Sequence, residues 1–332
     1  MRRIHRGIDE LRRIFDRTPD KHAAHRASRP VLEDLAGAPG LLPAMLDEYL
    51  RSDDPLGRLH YPVVAIELDL NPHFSLTANC WLPLPDRSTD LSTKSVHHHG
   101  PLLLSSVTVF GPGYEHWMFS APAAVDPARE LFSMKLLERA PHPTNHVAFV
   151  PEQLAHLPMY PPDLTITLAL FSNSVPTTFL DRLKRVRLLK RNEAFLRRLA
   201  ERAGLDKALD LKKAVYYDFY PVPEGFRGML QRQEFERGPN EHYLQSLAYI
   251  LQRTGNDRLS STVRAEADAA PGGARRDLLR RLVEDLRSGR AIEPRLSPCH
   301  TGVPHANFTR ADLERALAAV GPAQPGARPD AV

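Results

Sequence analysis

Two cysteines in 332 residues, Cys80 and Cys299, lie far apart and without a CxxC spacing, which excludes a disulfide scaffold and a zinc knuckle. Such a pair suits free thiols in a cytoplasmic chain. No stretch reaches the roughly 18 unbroken apolar residues that cross a bilayer, and residues 1–13 are charged throughout, so neither membrane insertion nor secretion is expected. Charge of one sign is scarce as well. The formal net charge is +4, and the excess is arginine scattered along helical segments. The basic run at 182–191 lacks interleaved aromatics that would stack on bases, so nucleic acid is not an expected partner. No Gly-x-Ser-x-Gly elbow surrounds Ser105 and Ser106, which removes support for nucleophilic hydrolysis. No repeat of fixed period occurs.

What is present is a 42% hydrophobic content, sufficient for a real core. Residues 1–51 have helical periodicity, with Ile8, Leu11 and Phe15, then Leu32 and Leu35, then Leu42, Met45 and Leu46 on apolar faces. Between 61 and 171 the character changes to short β-rich runs at 62–68, 74–82, 102–110, 115–119, 130–137, 146–150 and 164–171, separated by Gly, Pro, Asn and Asp. Many short strands between turns predict a sandwich or barrel. Helical periodicity returns at 195–203, 243–252 and 275–286, with one strand expected around 215–220. Thr309 is an expected N-cap for a last helix, with Asp312 in its first turn. The predicted organisation is a helical preface at 1–60, a β barrel at 61–176, a mostly α-helical region at 177–321 and a frayed tail at 322–332.

The most informative stretch is Ser95-Val96-His97-His98-His99-Gly100. On a strand, alternate side chains share a face, so His97 and His99 point to one side and His98 to the other. A mononuclear metal needs a further ligand, and His156 in a later β segment offers one. Three neutral imidazoles on one side of an ion leave its other positions open. His142 and His146 flank the second segment, and either replaces His156 if the register is shifted.

This HxH followed by a later His resembles the cupin superfamily. Within it, the order of features is similar to the cysteine dioxygenase family: Cys80-Trp81 before the HxH, and a Gly111-Pro112-Gly113 turn leading into an aromatic-ended strand. Asn145 to Val150, His156 and a closing Phe171-Ser172 follow in the same order. The likeness covers about 42–172. It implies a mainly β, jelly-roll-like cupin barrel holding one Fe(2+), a dioxygenase activity that joins dioxygen to a small-molecule substrate, and no nucleotide cofactor.

The departures from that family are specific. The glutamate most cupins place after the HxH is replaced by Pro101-Leu102-Leu103-Leu104, leaving a three-histidine site. Leu104 stands where the animal-type enzymes have a crosslinked cysteine, and Thr167, Ala169 and Phe171 stand along their Ser-x-His-x-Tyr strand. No arginine occupies 63–67, where the family grips the substrate carboxylate. Free cysteine is therefore not the expected substrate, and a drier pocket suits an apolar or aromatic molecule. Tyr114 and His116, on the strand after the Gly-Pro-Gly turn, complete the expected pocket lining.

Two rival functions stand beside the oxygenase: another metal-dependent cupin enzyme, an isomerase or lyase, and a non-catalytic cupin binding protein. Cys299, His300 and His305 share a Pro-rich loop without a defined ligand pair, so a loop packed over the barrel mouth is expected there rather than a second metal site. The aromatic run Tyr216-Tyr217-Asp218-Phe219-Tyr220 reads as a buried strand. Tyr243, Leu247, Ile250 and Leu251 form one helix face, which makes the C-terminal region a candidate lid or homodimer contact.

Overall fold

The computed structural model describes residues 2–38, 40–50, 63–83, 96–159, 161–173, 217–230, 240–255, 264–265, 268–269, 272–294 and 308–320. Three helices come first: α1 (Arg2–Arg17), α2 (Lys21–Ala36) and α3 (Leu41–Leu50). Ile4, Ile8, Leu11 and Phe15 recur at helical spacing on α1 and are all buried, as are Leu32 and Leu35 on α2. Asp20 starts α2 by accepting from the backbone N–H of His22, which satisfies a donor the first turn leaves free.

The β part contains β1 (Val63–Leu70), β2 (Ser75–Trp81), β3 (Val96–His98), β4 (Leu102–Phe110), β5 (Tyr114–Phe119) and β6 (Ala123–Asp126). It continues through β7 (Leu131–Ser133), β8 (Leu136–His142), β9 (Val147–Val150), β10 (His156–Pro158) and β11 (Thr165–Asn173). The hairpin β12 (Tyr217–Val222) and β13 (Gly225–Leu230) follows, then α4 (Asn240–Thr254), α5 (Ala274–Ser288) and α6 (Arg310–Ala319).

Two antiparallel sheets result, in the orders β1-β2-β11-β4-β9 and β6-β7-β13-β12-β3-β10-β5-β8. From β2 to β11 the chain passes back and forth between them, with β2, β4, β9 and β11 in the first and β3, β5, β8 and β10 in the second. Alternation between facing sheets is the mark of a jelly roll, so a jelly-roll-like β architecture with helices at both ends is the one the chain adopts.

Side-chain alternation decides what each face meets. On β11, Ile166, Leu168 and Leu170 pack outward against the helices, while Thr167, Ala169 and Phe171 alternate with them and face the second sheet. The outer face of the five-stranded sheet is covered by α1, α2, α3, α4 and α5 in one continuous core. Across the molecule, Val96, Trp117, Phe119, Leu157 and Phe219 form the outer face of the eight-stranded sheet, beneath Leu313 and Ala316 of α6. Helix α6 begins with the expected cap: the Thr309 hydroxyl accepts from the Asp312 N–H, and the Asp312 carboxylate accepts from the Thr309 N–H.

Three differences from the sequence-based expectations have physical causes. The single strand expected at 130–137 is two strands, because β7 pairs with β6 and β13 whereas β8 pairs with β5. The expected strand at 215–220 is β12, and it belongs to the same sheet as β3, so the β structure extends past residue 176 into the C-terminal part. Its hairpin partner β13 escapes propensity because it contains Gly225 and Gly228. Gly228 is required by a close approach: a Cβ there would stand 2.5 Å from atoms of both Phe132 and Phe219. Cys299, His300, His305, the basic run, the helix at 195–203 and the tail lie outside the described residues.

Candidate metal centre

Strand β10 meets β3 with His156 directly opposite His97. Residues so paired project to one face with Cβ atoms about 4.5–5.5 Å apart. Backbone register therefore brings these two imidazoles together, and their ring centroids are 4.6 Å apart. His99 follows just after β3 ends, and its ring lies 4.8 Å from that of His97 and 5.0 Å from that of His156. One potential ligand atom from each of the three lies within 4.8 Å of the others. Nε2 of His99 and Nε2 of His156 are 2.9 Å apart. That spacing fits two neighbouring imidazole donors that each approach one ion to about 2.0–2.1 Å. The donor set of three histidines suits a divalent transition metal.

The two segments that bring the histidines are also tied to each other. Gly100 turns the chain after the HxH, and its carbonyl accepts from the Gln153 N–H at 2.9 Å, just ahead of β10. His98 points the other way, as alternation requires. Its ring stacks on Tyr217 at 5.1 Å, its Nδ1 accepts from the Gly100 N–H, and burial pushes its pKa down to about 4, so it is neutral.

The wall facing the imidazoles is mostly apolar. Phe171 presents its ring to His99 edge-on at 5.3 Å. Leu104, Val150 and Ala169 cluster beside it, with Met118 and Leu154 packed against them. Thr167 is engaged by Trp81, whose Nε1–H donates to its hydroxyl at 3.1 Å. Tyr114 lies 5.5 Å from the Trp81 ring. Burial pushes the Tyr114 phenol up to about 12, so it stays protonated. Cys80, the neighbour of Trp81, faces the helices instead, where burial pushes its thiol up to about 12. The only buried lysine or arginine among the described residues is Lys21, on α2 against Phe15.

Matches among solved structures include a Thermus thermophilus protein, 14% identical over 37% of this chain and 95% of that one, with a TM-score of 0.24. An RmlC-like cupin from Shewanella frigidimarina is 14% identical over 35% of this chain and 80% of its own, with a TM-score of 0.22. An RmlC-like cupin family protein with a double-stranded β-helix fold from Methanocaldococcus jannaschii is 11% identical over 36% and 85%, with a TM-score of 0.22. At these scores the likeness carries no argument, and the fold stands on the strand order alone. No protein-family model matches the chain, and no curated protein does.

Neither alternative to His156 joins the cluster. His142 Nε2–H donates to the Ser106 carbonyl at 3.1 Å, and its Nδ1 lies 3.2 Å from the Thr108 hydroxyl, which donates to the His142 carbonyl. His146 is exposed. His116, expected in the pocket lining, meets the back of a candidate ligand: its Nε2 is 2.9 Å from Nδ1 of His156. Burial first, and then the neighbouring His142 and His97, push His116 down to about 3.

Sequence reasoning also missed Asp218. It is 2% exposed on β12 and stands opposite His97 in the β12–β3 ladder. The signal available was a carboxylate at an alternating position inside the run Tyr216-Tyr217-Asp218-Phe219-Tyr220, because a carboxylate is rarely buried without a role.

Proposed function

We propose that this chain is a mononuclear, iron-dependent oxygenase of the cysteine dioxygenase-like kind, acting with dioxygen on a small organic molecule other than free cysteine. The observation that carries this is the convergence of His97, His99 and His156 from two separate segments of the chain. When bound, iron supplies the chemistry that lets dioxygen react with an organic molecule. The chain's own residues do the rest. Three neutral imidazoles would hold the ion without offsetting its charge, which keeps it a strong electrophile. Phe171, packed edge-on to His99, would exclude water on the side of the five-stranded sheet together with Leu104 and Ala169. An amino acid substrate needs a cation for its carboxylate, and the one buried lysine or arginine among the described residues, Lys21, sits on α2 outside the sandwich. A neutral apolar or aromatic molecule matches the lining better.

The test is to purify the chain anaerobically, load ferrous iron, and follow metal content and oxygen uptake against thiols, phenols and enolic acids. About one iron per chain and uptake that depends on one of these compounds is the expected result. Metal retention without oxygen uptake would favour an isomerase or lyase using the ion as a Lewis acid, and a chain without stoichiometric metal would favour a binding protein.

A further inference from the structure

His116 reaches the metal centre by the same backbone logic as His156. On β5 it lies two residues before Met118, which pairs with His156 on β10, so His116 and His156 share a face of the sheet. His116 is 6% exposed, and its ring meets that of His156 at 5.2 Å, with the ring planes at 82°. The contact is a hydrogen bond between Nε2 of His116 and Nδ1 of His156, 2.9 Å long.

We infer that His116 is a positioning residue that sets the tautomer of His156. This deepens the metal-dependent reading above and rests on it. A neutral imidazole carries one ring proton. His156 has a partner at each nitrogen, His99 at Nε2 and His116 at Nδ1. When Nε2 of His156 serves as a ligand, its single proton sits on Nδ1 and is donated to Nε2 of His116. His116 must then accept there and keep its own proton on Nδ1. Metal-binding histidines generally donate their second N–H to a carboxylate, a backbone carbonyl or water, and here an imidazole takes that place. Among the described residues, the neighbours of His116 are otherwise engaged. The ring of Tyr114 packs 5.9 Å away, and His142, at 6.3 Å, is committed to the Ser106 carbonyl and Thr108.

The experiment compares the wild type with His116→Leu and His116→Gln, titrating Zn(2+) against a competing chelator and recording long-range nitrogen-15 spectra of the imidazoles in the zinc form. A glutamine amide oxygen can accept from His156 Nδ1, whereas leucine cannot. The expected result is a loss of metal affinity of about 10–100-fold for the leucine variant, against a change of a few fold for glutamine, with near-UV dichroism unchanged in both. In the wild-type zinc form, His116 is expected to be protonated on Nδ1. Equal affinity in all three proteins, equal loss in both variants, or a His116 proton on Nε2 in the zinc form overturns the assignment. Should a variant fail to fold, the wild-type spectrum alone decides. A wild type that takes up no metal would end the metal reading itself, while a wild type that binds zinc no better than His116→Leu would end only the role given to His116.

Discussion

Asp218 stands opposite His97 across the β12–β3 ladder, although the two lie in different halves of the chain. Strand β3 is only Val96–His98, and it meets β10 at the single pair His156 with His97 but meets β12 at all three of its residues. The C-terminal hairpin therefore holds the HxH strand in place, and this half of the molecule is part of the site's scaffold.

Deleting residues 177–332 should consequently abolish metal retention. The deletion removes the β12 ladder, and it uncovers Val96, Trp117, Phe119 and Leu157 by taking away Phe219, Leu313 and Ala316. Each large apolar side chain returned to water costs about 1.5–3 kcal/mol, so the truncated chain is expected to aggregate on expression. A soluble truncated protein with full metal content and an unchanged melting temperature would contradict this.

Substitution of the three adjacent histidines should separate by parity. His97→Ala and His99→Ala are expected to lose stoichiometric metal by elemental analysis, while His98→Ala keeps it. The His98 variant should instead lose about 1–2 kcal/mol of stability, because its ring stacks on Tyr217 and accepts from Gly100. Equal metal loss in all three variants would refute the two-face argument.

Acid should weaken the fold through histidines buried in the neutral form. His25 lies between α2 and the five-stranded sheet, with Nδ1 2.7 Å from Ser105 Oγ and Nε2 2.9 Å from Ser172 Oγ. Burial first, and then His22 and Lys21, push it from 6.5 down to about 3, and burial pushes His142 down to about 4. Between those values and 6.5, the unfolded chain binds protons that the folded chain refuses. Stability is therefore complete above pH 6.5 and falls as pH drops, by about 1.4 kcal/mol per pH unit for each histidine. Urea midpoints measured from neutral pH downwards should show this slope, and His25→Gln should flatten it. An unchanged slope in that variant would place the effect elsewhere.

The turn ahead of β5 depends on Gly111. Its φ is +86°, and a Cβ there would stand 2.0 Å from the Leu164 carbonyl oxygen, a backbone atom with little room to yield. Gly111→Ala should cost about 3 kcal/mol or more, read as a lowered melting temperature. A variant as stable as the wild type would mean that the turn and the β10–β11 segment separate easily.

Much of this molecule follows from local pattern. The β-rich runs, the amphipathic α1, the Thr309 cap with Asp312 and the opposite facing of His97 and His98 all depend on residue spacing and short-range hydrogen bonds. Other features were hidden. The division of β7 from β8 depends on partners far away in the chain, and β13 contains glycines that lower its propensity although Phe132 and Phe219 demand one of them. His116 was legible as an inward residue on β5, but its bond to His156 depends on the β10–β5 register.

By itself, the sequence determined which side chains share a face, because alternation along a strand is a property of the backbone and needs no partner. That is why two imidazoles of the HxH could be assigned to one side before any contact was known. Which third histidine meets them, which group backs it and which carboxylate stands opposite His97 were decided only by tertiary structure. Register between strands distant in the chain is selected by how the whole apolar surface packs, and no short stretch of residues contains that information.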